Sequence, residues 1–238
     1  MRIDLLTLFP AQCRAALDGG VVGRALDRGD VRCVVTDLRH FAGDRHGTMD
    51  DTPYGGGAGM VLRPEPAVAA VESVRVGSSP VVLTSPAGRR FDQEQADRWA
   101  GHLSTGGQLI LLCGRYKGFD ERVRELVVTD EVSLGDYVLS GGELAALVIL
   151  DAVVRRIDGV IGRRESADSD SFGPAREGLL DCAWYTRPEE FRGMRVPEDL
   201  LSGDHARIER WRQRSSMERT LQLRPDLLEE EAPDRHGA

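Results

Sequence analysis

The stretch Glu131-Val-Ser-Leu-Gly-Asp-Tyr-Val-Leu-Ser-Gly-Gly-Glu-Leu-Ala-Ala-Leu-Val-Ile-Leu-Asp151 limits what this chain can fold into more than any other. Residues 130–134 read as a short strand. The chain breaks at Gly135, crosses a compact polar loop and breaks again at Gly141-Gly142, after which residues 143–157 read as an apolar helix. Strand, glycine-bounded loop and helix, in that order, are how α/β proteins aim backbone amides at a ligand. Glycine permits the dihedrals and close approaches such a loop needs. A second unit of the same design lies upstream: the apolar strand Leu109-Ile-Leu-Leu-Cys113, the loop Gly114-Arg-Tyr-Lys-Gly118, and a helix opening at Phe119. Two such loops point to one composite ligand site. Glycine alone leaves a plainer reading open, a pair of ordinary strand-to-helix turns.

Elsewhere strands and helices alternate. Residues 3–9 read as a buried strand stopped by Pro10, residues 11–28 as helix interrupted at Gly19-Gly20, and residues 31–38 as a second strand. A helix over 64–74 has proline at its start. A strand over 80–84 ends in Ser85-Pro86-Ala87-Gly88, and a helix over 92–103 takes Asp92 as its cap. Strand 108–113, a short helix over 119–127 and residues 128–134 lead into the organising loop. This alternation predicts an α/β fold with a mostly parallel sheet covered on both faces. Residues 158–176 are rich in glycine, serine and aspartate, have no apolar period, and read as an interdomain linker. Helix-like spacing beyond it predicts a small helical domain, with Trp184, Tyr185, Phe191, Trp211, Leu221 and Leu223 as its candidate core. The expected organisation is therefore an α/β cofactor-binding domain over 1–157, a linker over 158–176 and a helical domain over 177–238.

The net charge of −8 argues mildly against a nucleic-acid partner, but local patches decide that question. Cationic charge is almost all arginine; Lys117 is the only lysine. Between residues 207 and 224 six arginines face only Glu209 and Glu218, which suits either a solvated helix face or a phosphate-contacting one. The four cysteines, Cys13, Cys33, Cys113 and Cys182, are far apart and form no C-x-x-C pair. They read as reduced thiols of a cytoplasmic protein, with no zinc site. The apolar start of the chain is too short for a signal peptide. The longest apolar run, 144–150, is far short of a membrane span, so no membrane partner is expected.

No phosphate-cradling G-x-x-x-x-G-K-[ST] motif is present. Gly55-Gly-Gly-Ala-Gly59 does not spell a dinucleotide fingerprint and reads as a flexible wall over a ligand. It closes a polar loop over 39–59, long enough to suggest function. Asp168-Ser-Asp170 is spaced to bind a divalent metal or to make a surface turn.

Cys113-Gly-Arg-Tyr-Lys-Gly-Phe-Asp-Glu-Arg122 and Ser133-Leu-Gly-Asp-Tyr-Val-Leu-Ser-Gly-Gly-Glu143 closely resemble the signature loops of the bacterial tRNA (guanine-N1)-methyltransferases of the TrmD type, in the SPOUT class. The likeness continues through Asp50-Asp-Thr-Pro-Tyr-Gly-Gly-Gly-Ala-Gly-Met60, Asp170-Ser-Phe172, Tyr185-Thr-Arg-Pro188, Val196-Pro-Glu-Asp-Leu-Leu-Ser-Gly203 and Arg224-Pro-Asp-Leu227, nearly the whole chain. It implies an α/β domain with a C-terminal trefoil knot, a feature too rare to infer otherwise, followed by a small helical domain that grips tRNA. It implies that S-adenosyl-L-methionine lies against Thr84, Ser85, Pro86, Gly114, Tyr116 and Gly118, and against Ser133, Leu134, Gly135, Asp136, Tyr137, Val138, Leu139, Gly141 and Gly142.

The same likeness makes Asp170 the general base, since guanine N1 carries a proton and is a poor nucleophile until a carboxylate removes it. Arg155 would then stabilise charge developing on guanine O6, although a cation at a helix C-terminus also answers the helix dipole. His46, Asp50 and Gly59 would hold the guanine and its neighbours, while Arg210 and Arg214 would meet tRNA phosphates. The product would be N1-methylguanine immediately 3′ of the anticodon, made by a homodimer with composite sites and no metal. Three departures stand out: Lys117 where the family usually has Glu, Asp158 where it has proline, and Leu83-Thr84 in place of an aromatic-leucine pair. Two other readings compete. A metal-dependent phosphotransferase built on Asp168 and Asp170 would need those residues at a strand end. A non-catalytic RNA-binding module would share the arginine run.

Overall fold

The computed structural model describes residues 1–162 and 167–228. The chain divides into two compact units after Gly162. Elements are numbered in chain order.

The first unit is built on five parallel strands: β1 (Arg2–Thr7), β2 (Arg32–Asp37), β5 (Val81–Arg90), β6 (Gln108–Cys113) and β7 (Asp130–Ser133), in the order β2-β1-β6-β5-β7. Successive side chains alternate between the two faces. Ile3, Leu5, Val82, Leu109 and Leu111 enter one core, and Leu6, Val81, Leu83, Ile110 and Leu112 enter the other. The first core is covered by α1 (Pro10–Leu17), α2 (Gly20–Arg28), α4 (Gln93–Ser104) and α6 (Glu143–Val154). The second is covered by α3 (Pro64–Val74) and α5 (Glu121–Val127). Burial on both faces explains why these strands read as unbroken apolar runs. The expected α/β architecture with a parallel sheet is the observed one.

Local chemistry sets most helix boundaries. The Asp92 carboxylate accepts from Gln95 N at 2.8 Å and opens α4, satisfying an amide with no intrahelical partner. Pro64 is the first residue of α3. Helix α6 ends at Val154, three residues earlier than its apolar spacing suggests, and Arg155 is its C-cap. Ile157 and Val160 nevertheless remain buried in the first core, so the first unit extends beyond residue 157. The antiparallel pair β3 (Asp50–Asp51) and β4 (Val61–Leu62) pins the ends of the glycine-rich loop.

Strand β5 departs from its predicted end at Thr84. Thr84 and Arg89 both lie opposite Val132 of β7, so residues 85–88 loop out and the strand then resumes. Pro86 lacks a ladder donor and favours that excursion. Gly88 makes the return possible: a Cβ there would lie 2.2 Å from Val132 N.

The second unit is less helical than its spacing predicts. It contains the antiparallel pair β8 (Glu190–Phe191) and β9 (Met194–Arg195), the short helix α7 (Glu198–Leu201) and the long helix α8 (His205–Leu223). Trp184, Tyr185, Phe191, Leu221 and Leu223, part of the expected core, are exposed. The buried face of α8 is instead Ser215, Ser216 and Thr220. Leu180 N donates to Thr220 Oγ1 (3.1 Å), Ala183 N donates to Ser215 Oγ (3.0 Å), and Ser216 Oγ donates to Leu180 O. An extended segment around residues 180–183 lies along the helix, held by hydroxyls where an apolar seam was expected. No described helix is long and apolar enough to cross a membrane.

Gly88→Ala is expected to lower the urea midpoint by the equivalent of about 3 kcal/mol, the upper range for an overpacked site, because the added methyl meets main chain that cannot swing aside. Gly101→Ala, inside α4 with nothing within 4 Å of its built Cβ, should instead raise the midpoint by the equivalent of about 0.5–1 kcal/mol.

Candidate active site

At the C-terminal edge of the sheet, the looped-out residues of β5 and the segments that follow β6 and β7 surround a cleft of about 680 Å³. Open parallel sheets bind ligands at that edge, and the volume lies within the rough range of 300–1,000 Å³ for small-molecule sites. The two glycine loops are stitched together across the cleft. Arg115 and Gly141 form an antiparallel bridge, and Gly142 N donates to Gly114 O at 2.8 Å. The buried Thr84 hydroxyl sits 3.4 Å from both Leu112 O and Gly142 O, joining β5 to both loops. Tyr116 has φ of 60°, a left-handed conformation that costs a non-glycine residue on the order of 1 kcal/mol and tends to persist at functional sites.

One buried ion pair underlies this arrangement. Glu143, the first residue of α6, is 1% exposed. Its Oε1 accepts from Thr7 Oγ1 at 2.8 Å, while its Oε2 lies 3.0 Å from Arg115 Nε without the alignment of a hydrogen bond. The Arg115 guanidinium also donates to Ser140 O at 3.1 Å and lies 4.2 Å from the Phe9 ring centroid. Burial, with the Glu143 charge adding to it, pushes the nearby Cys13 and Cys113 thiols up, so both stay protonated and are poor nucleophiles.

The rim carries more charge, most of it matched. Arg122 grips Asp120 with two hydrogen bonds of 2.8 Å, and that bonding lowers the Asp120 carboxyl to about 2. Arg124 pairs with Glu121 and lies 3.8 Å from Glu131. Lys117 lines the cleft with its stem laid against Gly59, whose built Cβ would lie 3.1 Å from Lys117 Cε.

Among the residues expected to hold the cofactor, Thr84, Ser85, Pro86, Gly114, Tyr116, Gly118, Ser133, Leu134, Gly135, Tyr137, Val138, Leu139, Gly141 and Gly142 all line the cleft. Asp136 is exposed and does not. His46 is exposed on the long loop, its backbone N donating to Asp44 Oδ1 at 2.7 Å. Asp50 pairs with Leu62 in the short ladder. Arg155 closes α6 in the first unit, and Asp170 lies in the second, where its carbonyl accepts from Gly173 N at 3.0 Å. On α8, Arg214 lies 3.4 Å from Asp199 and 3.9 Å from Glu218. Arg210 is exposed and makes no ion pair among the described residues. Among those residues no group of three or more His, Cys, Asp or Glu is clustered to hold a metal. Sequence reasoning missed Arg115, Glu143 and Thr7 as one network. The available signal was an acid opening a helix whose next seven residues are all apolar.

The description "tRNA (Guanine-1)-methyltransferase TrmD" matches residues 1–230. The chain belongs to this family. A Dehalococcoides mccartyi protein named tRNA (guanine-N(1)-)-methyltransferase is 52% identical over 232 residues, covering 96% of this chain and 91% of the relative. Relatives of the same name from Anaeromyxobacter dehalogenans and Geobacter sulfurreducens are 53% and 51% identical over 230 residues, with the same coverage.

At this cleft, the two adjacent glycines of the second loop are not equivalent. A Cβ at Gly142 would lie 2.1 Å from Thr84 Oγ1 and 3.0 Å from Gly114 N, which is main chain. A Cβ at Gly141 would meet the Arg115 side chain at 2.2 Å, which can move only by leaving Glu143 and Phe9. If the cleft holds the expected S-adenosylmethionine, Gly142→Ala abolishes its calorimetric binding, and Gly141→Ala weakens that binding by about tenfold, as a displaced Arg115 loosens the loop.

Proposed function

We propose that this protein transfers a methyl group from S-adenosyl-L-methionine to N1 of guanine in tRNA, at the guanine immediately 3′ of the anticodon. The observation that carries the reading is the convergence of the family's two signature loops, 114–118 and 133–142, on one cleft at the C-terminal edge of the sheet. The cleft suits the donor. Leu134 and Leu139 offer apolar contact beside loop backbone, and rim carboxylates with Lys117 suit a zwitterionic amino-acid end. When bound, the donor supplies an electrophilic methyl group on a sulfonium.

The chain's own residues do the rest. Asp170 takes the proton from guanine N1 and so exposes its lone pair. Arg155 offsets the negative charge that then builds on O6. The arginine face of α8 meets tRNA phosphates, a role supported by Arg210, which is exposed and makes no ion pair among the described residues. The reading includes a trefoil-knotted cofactor end, supported by the pairing of Arg115 with Gly141 and of Gly142 with Gly114. It includes a homodimer with composite sites, supported by exposed apolar side chains at Val138, Leu144 and Val148. A cytoplasmic setting suits four free cysteines.

Incubation with labelled S-adenosylmethionine and bulk tRNA, followed by nuclease digestion, should place the label in N1-methylguanine. Label in another nucleoside, or none, would overturn the reading. Asp170→Asn should lower single-turnover methylation by roughly two to four orders of magnitude, the usual contribution of a general base, while cofactor and tRNA affinities stay nearly level. Asp168→Asn should be far milder; equal losses at both positions, rescued by added divalent metal, would favour a metal pair.

Arg210→Gln should reduce the slope of log affinity for tRNA against log salt by about one, as one phosphate contact releases its counterion. Arg214→Gln should change the slope less, because Asp199 and Glu218 already neutralise that side chain.

A further inference from the structure

We infer that Lys117 binds the carboxylate at the amino-acid end of the methyl donor, and so positions the donor along the cleft. The inference rests on the donor reading above. It follows from accounting for every charge on the cleft wall. Arg115 is committed to Glu143. Asp120 is gripped by Arg122, while Glu121 and Glu131 share Arg124. Lys117 is the remaining cation on the wall, and among the described residues it has no carboxylate within 4 Å. An ammonium left uncommitted beside three matched acids is a receptor for an anion that arrives with the ligand.

Its placement is also fixed from behind. Lys117 N donates to Met60 O at 3.0 Å, and the aliphatic stem rests on Gly59, which adopts φ of +93°. Leu62 N donates to Gly118 O and Asp120 N donates to Leu62 O, both at 2.9 Å, so β4 clamps the loop immediately after the lysine. A lysine is ordinarily a loosely held point charge. Here the chain restricts its stem and leaves the head for a partner. The methyl donor has one carboxylate, on its amino-acid end, and a lysine on this wall matches it in sign.

The test is calorimetric titration of wild type, Lys117→Gln and Lys117→Arg with two probes, S-adenosylmethionine and decarboxylated S-adenosylmethionine. Wild type should prefer the intact donor by about tenfold, a modest value for a charge-assisted contact open to water. Lys117→Gln should lose that preference by weakening only the intact donor, and Lys117→Arg should keep it. Lys117 is exposed, so folding should survive, and thermal unfolding checks that it does. Equal weakening of both probes by Lys117→Gln would make the lysine structural and overturn the inference. An unchanged preference, with a smaller salt slope for tRNA, would overturn it in favour of a phosphate contact. If wild type binds neither probe, the donor reading itself fails and the inference fails with it.

Discussion

The contact on which the site depends is the buried meeting of Glu143 and Arg115. Removing two charges from water is costly, and a buried carboxylate is tolerated only when its partners are held in place. That requirement works in both directions here. The carboxylate starts α6 inside the sheet's C-terminal edge, beneath the loop that follows β6. The guanidinium must come from that loop, so the loop cannot drift. Thr7, on β1, takes the other oxygen. Three separate parts of the parallel sheet are thereby tied to one point, and the glycines at 141 and 142 are what let the backbones close to that distance.

Much of the first unit was legible in its sequence because its physics is periodic or local. Buried parallel strands are short apolar runs, and β6 and α3 fall on their expected residues without adjustment. Asp92 announced its helix because a cap is a local hydrogen bond. The glycine loops announced the cleft because few other residues allow main chains to approach so closely. The hidden part was non-local. Nothing around Thr84 says that the strand resumes five residues later, at Arg89, beside Val132, since that pairing is decided by β7. Nothing around Glu143 says that its partner is Arg115, 28 positions earlier by residue number.

The second unit misled for a definable reason. Apolar spacing was read as an inward face, but α8 turns Ser215, Ser216 and Thr220 inward. Their hydroxyls satisfy main-chain groups of an irregular segment, a task aliphatic side chains cannot perform. The aromatic residues are consequently left at or near the surface, in contact with one another and with arginine. Tyr185 and Trp211 meet edge to face at 6.0 Å, and the Arg212 guanidinium lies 4.9 Å from the Trp184 ring centroid, leaving flat, cation-flanked surfaces outward.

That hydroxyl seam also bears on how the two units respond to heat. The heat capacity of unfolding comes chiefly from newly wetted apolar surface, and newly wetted polar surface subtracts from it. The first unit, with two aliphatic cores, is expected to have a strongly curved dependence of stability on temperature, and the second, closed by hydroxyls on main chain, a flatter one. Cooling would then weaken the aliphatic unit sooner than the hydroxyl-bonded one.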